Sequence, residues 1–240
     1  MRAKGLKQKK WKKECCTLKK YEFNRYIDHA VLKPELTQEE VRNAIQLGID
    51  YKVKTVCVRP CDIDLAVDMC RGTETGVCCV LAFPHGTVPP EIKRAEAELY
   101  VARGVDEIDM VVNYGYIRSR LWNRVEEDIR AVSEITKPAN VLLKVILETS
   151  QLNEEEIVRA TECAVNAGAD FVKTSTGFYG EGATVKAVEV MLKAAAGRIG
   201  VKASGGIRTA EQARMFLDMG VSRIGNGFSS TPVICGGMAL

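Results

Sequence analysis

Short apolar runs alternate with longer amphipathic ones from about residue 26 onward. The apolar runs predict strands over Thr55–Val58, Gly76–Phe83, Glu107–Val112, Asn140–Leu147, Phe171–Thr174, Gly200–Ala203 and Val221–Gly225, with Tyr26-Ile27-Asp28 as a first strand ahead of them. Several are apolar throughout, as parallel strands covered on both faces tend to be. Between them the pattern turns helical. Thr37, with Glu40 three residues on, makes a capping-box pattern ahead of Val41, Ala44, Ile45 and Leu47. Helices are predicted over Ile63–Cys70, Glu91–Arg103, Val125–Ile135 and Val185–Ala195. Asn153 reads as an N-cap, and Thr209 with Gln212 repeats the capping pattern.

Gly-Val-Asp-Glu-Ile-Asp (104–109) and Gly-Ala-Asp-Phe-Val-Lys (168–173) share one design: a helix-ending glycine, a short loop, then a strand. Eight strands, each followed by a helix or its beginning at about 25–30 residues per unit, predict an α/β chain folded as a single (β/α)₈ barrel. No Gly-x-Gly-x-x-Gly follows the first strand, which argues against a dinucleotide-binding open sheet. The 240 residues fit one such barrel, assigned to residues 21–240.

Charge separates the first 20 residues from the rest. They hold nine Lys/Arg and one acidic residue, Glu14, while the whole chain has a net charge of only +3. Residues 1–20 are therefore read as a basic, flexible extension. It could touch nucleic acid or another anionic surface, but a solvated tail is the preferred reading. The nine cysteines include no Cys-x-x-Cys pair, and most sit in apolar segments such as Val77-Cys78-Cys79-Val80. That fits reduced, buried thiols in the cytoplasm rather than a disulfide framework. No apolar run approaches 18 residues and the basic start lacks a signal-peptide core, so no membrane span or export is expected.

Sites of this fold sit at the C-terminal ends of the strands, so charged residues within the apolar runs are the candidates for chemistry. Lys144, Lys173 and Lys202 each interrupt an apolar strand, and the last two share the pattern Val-Lys-x-Ser. An outward lysine would meet the apolar helix layer, so all three are expected inside the barrel, where a charge must be partnered or used. Two ammonium groups about 6 Å apart at an effective dielectric near 20 repel by roughly 2.8 kcal/mol. That would lower one lysine's pKa by about two from its reference near 10.4. A neutral amine could then attack a carbonyl and form a Schiff base. Asp109 and Asp28, on two other strands, are candidates for relaying protons. Glu148 is read only as a counter-charge for Lys144.

Ser204-Gly205-Gly206-Ile207-Arg208 precedes a capped helix after the seventh strand, the usual phosphate position in this fold. Gly177, Gly180 and Gly182 could extend the cradle. The two histidines, His29 and His85, lie far apart in the sequence, so no metal site is expected.

These segments resemble the deoxyribose-phosphate aldolase family. The resemblance rests on Ile27-Asp28-His29, Val56-Cys57-Val58, Asp106-Glu107-Ile108-Asp109-Met110-Val111, Leu143-Lys144-Val145-Ile146-Leu147-Glu148-Thr149, Lys173-Thr174-Ser175-Thr176-Gly177 and Lys202-Ala203-Ser204-Gly205-Gly206. It implies a class I aldolase without metal or other cofactor, acting on a small phosphorylated sugar. It implies Lys173 as the Schiff-base lysine, Lys202 as the lysine that tunes it and Asp109 as the proton relay. Asp28, Cys57, Lys144 and Thr176 would lie near substrate, with Gly177, Gly205 and Gly206 at the phosphate. A homo-oligomer, dimer or tetramer, is expected.

The run Gly225-Asn226-Gly227-Phe228-Ser229-Ser230 departs from the family's Gly-Ala-Ser-Ser. Either two residues are inserted and Ser229 and Ser230 reach the phosphate, or Gly227 and Phe228 replace the serines. Tyr114, Tyr116 and Trp122 also make the segment after the fourth strand bulky. Two other readings stay open: a related Schiff-base aldolase, and a weakly active barrel that works through its basic extension.

Overall fold

The computed structural model describes residues 22–236. The basic extension at residues 1–20, its anionic contacts, and Cys15 and Cys16 lie outside the described residues. Eight parallel strands close into a barrel in sequence order: β1 (Ile27–Val31), β2 (Thr55–Val58), β3 (Gly76–Leu81), β4 (Glu107–Val111), β5 (Leu142–Ile146), β6 (Phe171–Lys173), β7 (Gly200–Ser204) and β8 (Arg223–Gly227). Around it run α1 (Gln38–Asp50), α2 (Ile63–Cys70), α3 (Pro90–Ala102), α4 (Tyr114–Arg118), α5 (Trp122–Thr136), α6 (Glu154–Asn166), α7 (Val185–Ala195), α8 (Ala210–Met219) and α9 (Thr231–Ile234).

The expected starts of α1, α6 and α8 hold, each closed by a reciprocal capping box: Thr37 with Glu40, Asn153 with Glu156, and Thr209 with Gln212. Two features were not expected. The Tyr114–Tyr116 segment forms the extra short helix α4, with Asn113 accepting a hydrogen bond from the Tyr116 amide. The last strand lies two residues later than predicted, because β8 takes its register from β1, with Asn226 opposite His29 and Gly227 opposite Ala30.

Strand alternation sorts the side chains into two cores. Outward residues such as Val56, Ile108, Leu143, Val145, Val172, Val201 and Ile224 pack with the helices in one large apolar cluster. A small separate cluster inside the barrel contains Cys57, Cys78 and Val80. Much of the remaining interior is charged, where this fold usually stacks branched apolar residues. Asp28, Glu107, Asp109, Lys144, Lys173, Lys202 and Arg223 are all at most 5% exposed. Outside the barrel, a further buried pair joins α3 to α5. Lys93 Nζ lies 2.6 Å from Asp128 Oδ2 and donates to the Val111 carbonyl at the end of β4. Among the described residues, no helix is long and apolar enough to cross a membrane.

Candidate active site

Parallel pairing sets the site. Lys173 on β6 is the direct register partner of Lys202 on β7, and Asp109 on β4 is the partner of Lys144 on β5. With side chains alternating across the sheet, these positions point to the barrel axis together. Lys173 Nζ and Lys202 Nζ each lie 2.7 Å from Asp109 Oδ2. The two amines are therefore no more than twice that distance apart. Lys144 Nζ lies 2.8 Å from Asp109 Oδ1, 2.5 Å from Glu107 Oε2 and 3.5 Å from Asp28 Oδ2. Lys202 also pairs with Asp28. Arg223 closes the lower end, 2.6 Å from Asp28 Oδ1 and 2.8 Å from Glu107 Oε2.

The network holds four cations, Lys144, Lys173, Lys202 and Arg223, against three carboxylates, Asp28, Glu107 and Asp109. Charges this deep stay charged only when well partnered, and the partners are shared unequally. Lys144 has three carboxylates, while Lys202 and Arg223 have two each. Lys173 has one, and Lys202 occupies the same oxygen. Lys173 is thus the cation of the network with the fewest ion pairs.

The expected electrostatics are corrected on one point. Sequence reasoning has the lysines acting on each other. In the folded barrel, carboxylates dominate around Lys202: burial opposes its ammonium form, yet Asp109 and Asp28 outweigh burial and hold it above its ordinary value. Lys144 behaves alike, raised against burial by Asp109 and Asp28. Burial likewise works against ionised Asp109, but Lys144, Lys173 and Lys202 hold it well below the usual carboxylate range. Asp28 is lowered in the same way, with Lys144, Lys202 and Arg223 outweighing burial.

Above the network opens a cavity of about 490 Å³ at the C-terminal end of the barrel. Asp28, Cys57, Lys173, Thr176 and Lys202 form its floor and wall. Gly177, Gly205, Gly206, Ser229 and Ser230 line it as well, so the glycine-rich segments and the altered strand-eight run meet at one mouth. Gly205 and Gly206 have φ of +92° and +75°, values that favour glycine. A side chain at Gly205 would also collide with Gly182, whose Cα lies 2.8 Å from the Cβ position. Gly227 and Phe228 share the lining with the two serines, so both alignments of this run bring residues to the cavity. Asp109 and Lys144, fully buried, lie beneath it.

Glu148 requires a second correction. It has no ion pair with Lys144. It lies two residues beyond β5 in a left-handed conformation, φ 56°, and is fully buried. Its Oε2 accepts hydrogen bonds from both the amide and the hydroxyl of Thr176. The Thr176 hydroxyl accepts in turn from the Phe178 amide at 3.1 Å. Glu148 thus holds the β6 loop at the cavity. Burial raises its pKa, partly offset by the Thr176 hydrogen bonds and the charge of Lys173. Over the mouth, Tyr179 hydrogen-bonds His85, and Phe178 packs edge-on to Phe83 with ring centroids 5.1 Å apart.

Sequence reasoning passed over Glu107, Cys78 and Arg223 as members of this cluster. The signal was available for Glu107, two residues before Asp109 and so on the same strand face. Arg223 also lies inside the predicted strand Val221–Gly225, but at the N-terminal start of β8, away from the C-terminal strand ends where candidates are expected.

Residues 23–237 match the profile of the family described as DeoC/LacD family aldolase. Deoxyribose-phosphate aldolase from Natranaerobius thermophilus is 44% identical over 203 residues, covering 85% of this chain and 92% of that protein. The enzyme of that name from Enterococcus faecalis is 43% identical over 204 residues, covering 85% and 92%. Among solved structures, an aldolase called QR15 superposes with a TM-score of 0.83 at 39% identity, covering 89% of this chain and 94% of its own. The tetrameric deoxyribose phosphate aldolase of Aeropyrum pernix superposes with a TM-score of 0.82 at 29% identity, covering 89% of both chains.

Proposed function

This chain belongs to the DeoC/LacD family of aldolases, and on that premise we propose that it reversibly splits 2-deoxy-D-ribose 5-phosphate into D-glyceraldehyde 3-phosphate and acetaldehyde through a Schiff base on Lys173. The supporting observation is the meeting of Lys173 and Lys202 on one oxygen of Asp109 at the floor of the barrel mouth. The reaction belongs to deoxyribonucleoside breakdown.

The Lys173 amine adds to the C1 aldehyde of the open-chain sugar, and the adduct loses water to give an iminium. The iminium draws in the electrons of the C2–C3 bond as the C3 hydroxyl gives up its proton. Glyceraldehyde 3-phosphate leaves, and an enamine remains. Protonation at C2 and hydrolysis release acetaldehyde and restore the amine. The iminium is itself the electron sink, so the chemistry calls for no metal or other cofactor. Asp109 is suited to carry the protons, because one of its oxygens touches both amines. Lys144 and Lys202 keep that carboxylate ionised against burial, and Lys144 anchors its other oxygen.

Asp28, Cys57 and Thr176 flank the sugar in this reading. The backbone amides of Gly177, Gly205 and Gly206, with Ser229 and Ser230, receive the phosphate near the start of α8, where the helix N-terminus favours an anion. We also assign the enzyme to the cytoplasm and to a homo-oligomer. Among the described residues the seven cysteines are free thiols, which suits a reducing compartment.

Trapping tests the assignment. Borohydride added with acetaldehyde should reduce the imine and leave a stable adduct, found by peptide mass on Lys173 and lost in Lys173→Leu. An adduct on another lysine, or none in an active enzyme, would sink it.

A further inference from the structure

Two thiols sit where the aldol chemistry needs none as a pair. Cys57 and Cys78 are register partners on β2 and β3. Both turn into the barrel: Cys57 belongs to the cavity wall, and Cys78 lies just below it. Cys78 Sγ is 3.3 Å from Asp109 Oδ1 and 3.5 Å from Lys144 Nζ. The two sulfurs and an Asp109 oxygen all lie within 4.8 Å of one another. No histidine takes part, so the two histidines of the chain did not point to it.

We propose that Cys57 and Cys78 form a dithiol site for a soft divalent cation, zinc or cadmium, with Asp109 as third ligand, and that filling this site switches the aldolase off. The inhibitory half rests on the aldolase reading; the binding half does not.

The geometry suits an ion. Two Zn–S bonds of about 2.3 Å span sulfurs roughly 3.8 Å apart, and a carboxylate oxygen at about 2 Å completes a third corner. The cavity side of Cys57 leaves a fourth position for water. A disulfide fits less well. Like-facing partners on adjacent strands stand about 4.8 Å apart, while disulfide Cβ atoms need about 3.8 Å. A bridging ion takes up that difference and needs no oxidant.

The charge balance also allows it. The network already holds one more cation than carboxylates, so a divalent ion on neutral ligands would be repelled. Two thiols that bind as thiolates release two protons, and the net charge is unchanged. The hydrogen bond with Cys78, helped by Lys202 and Lys173, lowers the pKa of the Cys57 thiol. Burial, Cys57 and Asp109 push the Cys78 thiol well up, so the ion itself must drive off that second proton. An ion on Asp109 Oδ1, the oxygen beside Cys78, would displace Lys144 from it and draw charge from the carboxylate that the proposed proton relay requires.

The test uses the reduced 240-residue chain with Cys15→Ser, Cys16→Ser and Cys61→Ser. These changes remove the two adjacent thiols of the N-terminal segment and the exposed thiol of the described residues. Zinc and cadmium are titrated in while bound metal is measured by equilibrium dialysis and mass spectrometry. The cadmium–thiolate charge-transfer band and aldolase turnover are followed in parallel. One ion per chain should bind, the ultraviolet band should appear, and turnover should fall in proportion and return with EDTA. Adding Cys78→Ser should abolish the band and weaken binding by more than about tenfold. Cys57→Ala, a second variant in case the first fails to fold, should do the same.

No stoichiometric metal on the reduced protein, or equal binding after both substitutions, would overturn the site. Metal bound with the band but with turnover untouched would overturn the inhibition. A chain that binds metal yet never turns over sugar phosphate would refute the aldolase reading and leave the site standing.

Discussion

Lys173 and Lys202 donate to the same oxygen, Asp109 Oδ2, each at 2.7 Å. Their strands are neighbours in register, so the sheet fixes this sharing. The two amines share one carboxylate charge, and Lys202 has Asp28 as a second partner while Lys173 does not. The partnership is unequal, and the proposed Schiff-base lysine is the less firmly held of the two.

Replacing Asp109 with Asn should therefore damage both stability and rate. Three lysines lose their common anion. Removing one partner of a buried ion pair costs about 3–5 kcal/mol, and loss of a positioned proton carrier lowers kcat by about 10²–10⁴. Urea midpoints and steady-state turnover check the two effects separately. A kcat within about tenfold of the parent would exclude Asp109 as the relay.

Lys202→Met and Lys144→Met should separate the two supporting lysines. Lys202 reaches the cavity; Lys144 does not, and has three carboxylates to hold. Lys202→Met should lower kcat by about 100-fold or more. Lys144→Met should act mainly on stability, by about 3–5 kcal/mol. Equal losses of kcat in two folded variants would contradict this division.

Glu148→Gln should stabilise the protein at neutral pH while weakening substrate binding. The buried carboxyl has a raised pKa, so the native state holds its proton more tightly than the unfolded chain does. Its contribution to stability is therefore greatest below the ordinary glutamate pKa and is lost as pH rises through the raised value. Glutamine removes that penalty, and the advantage over the parent should shrink as pH falls toward 4.5. The amide supports Thr176 less firmly, so KM should rise more than kcat falls. Paired urea melts at the two pH values and a kcat and KM measurement decide it.

His29 should make the fold acid-sensitive in a defined window. Its Nδ1 contacts Thr231 Oγ1 at 2.8 Å and its Nε2 contacts the Ala44 carbonyl at 2.9 Å. Burial lowers its pKa from 6.5 to about 4, against the opposing hydrogen bond to Ala44. The unfolded chain thus binds a proton that the native state refuses. Stability is full above pH 6.5 and is lost as pH falls toward 4, by about 3 kcal/mol. His29→Asn should flatten the pH dependence of the urea midpoint across that range. An unchanged slope would mean that His29 does not titrate as described.

The alternation of apolar and amphipathic runs determined the barrel without help from contacts. Eight strand–helix units, capped at Thr37, Asn153 and Thr209, leave closure as the way to cover every strand on both faces. The same pattern put Lys144, Lys173, Lys202 and Asp109 inside, because the outer face of each strand had to be apolar. What the sequence could not carry was distance. Which oxygen faces which nitrogen depends on strand register and shear around a closed sheet. Only the fold could therefore turn a presumed repulsion between two lysines into shared attachment to Asp109. Only the fold could move Glu148 from Lys144 to Thr176, set β8 by its pairing with β1, and bring Cys57 and Cys78 together with Asp109. Local sequence decides which face a side chain takes; its neighbours come from strands tens of residues away.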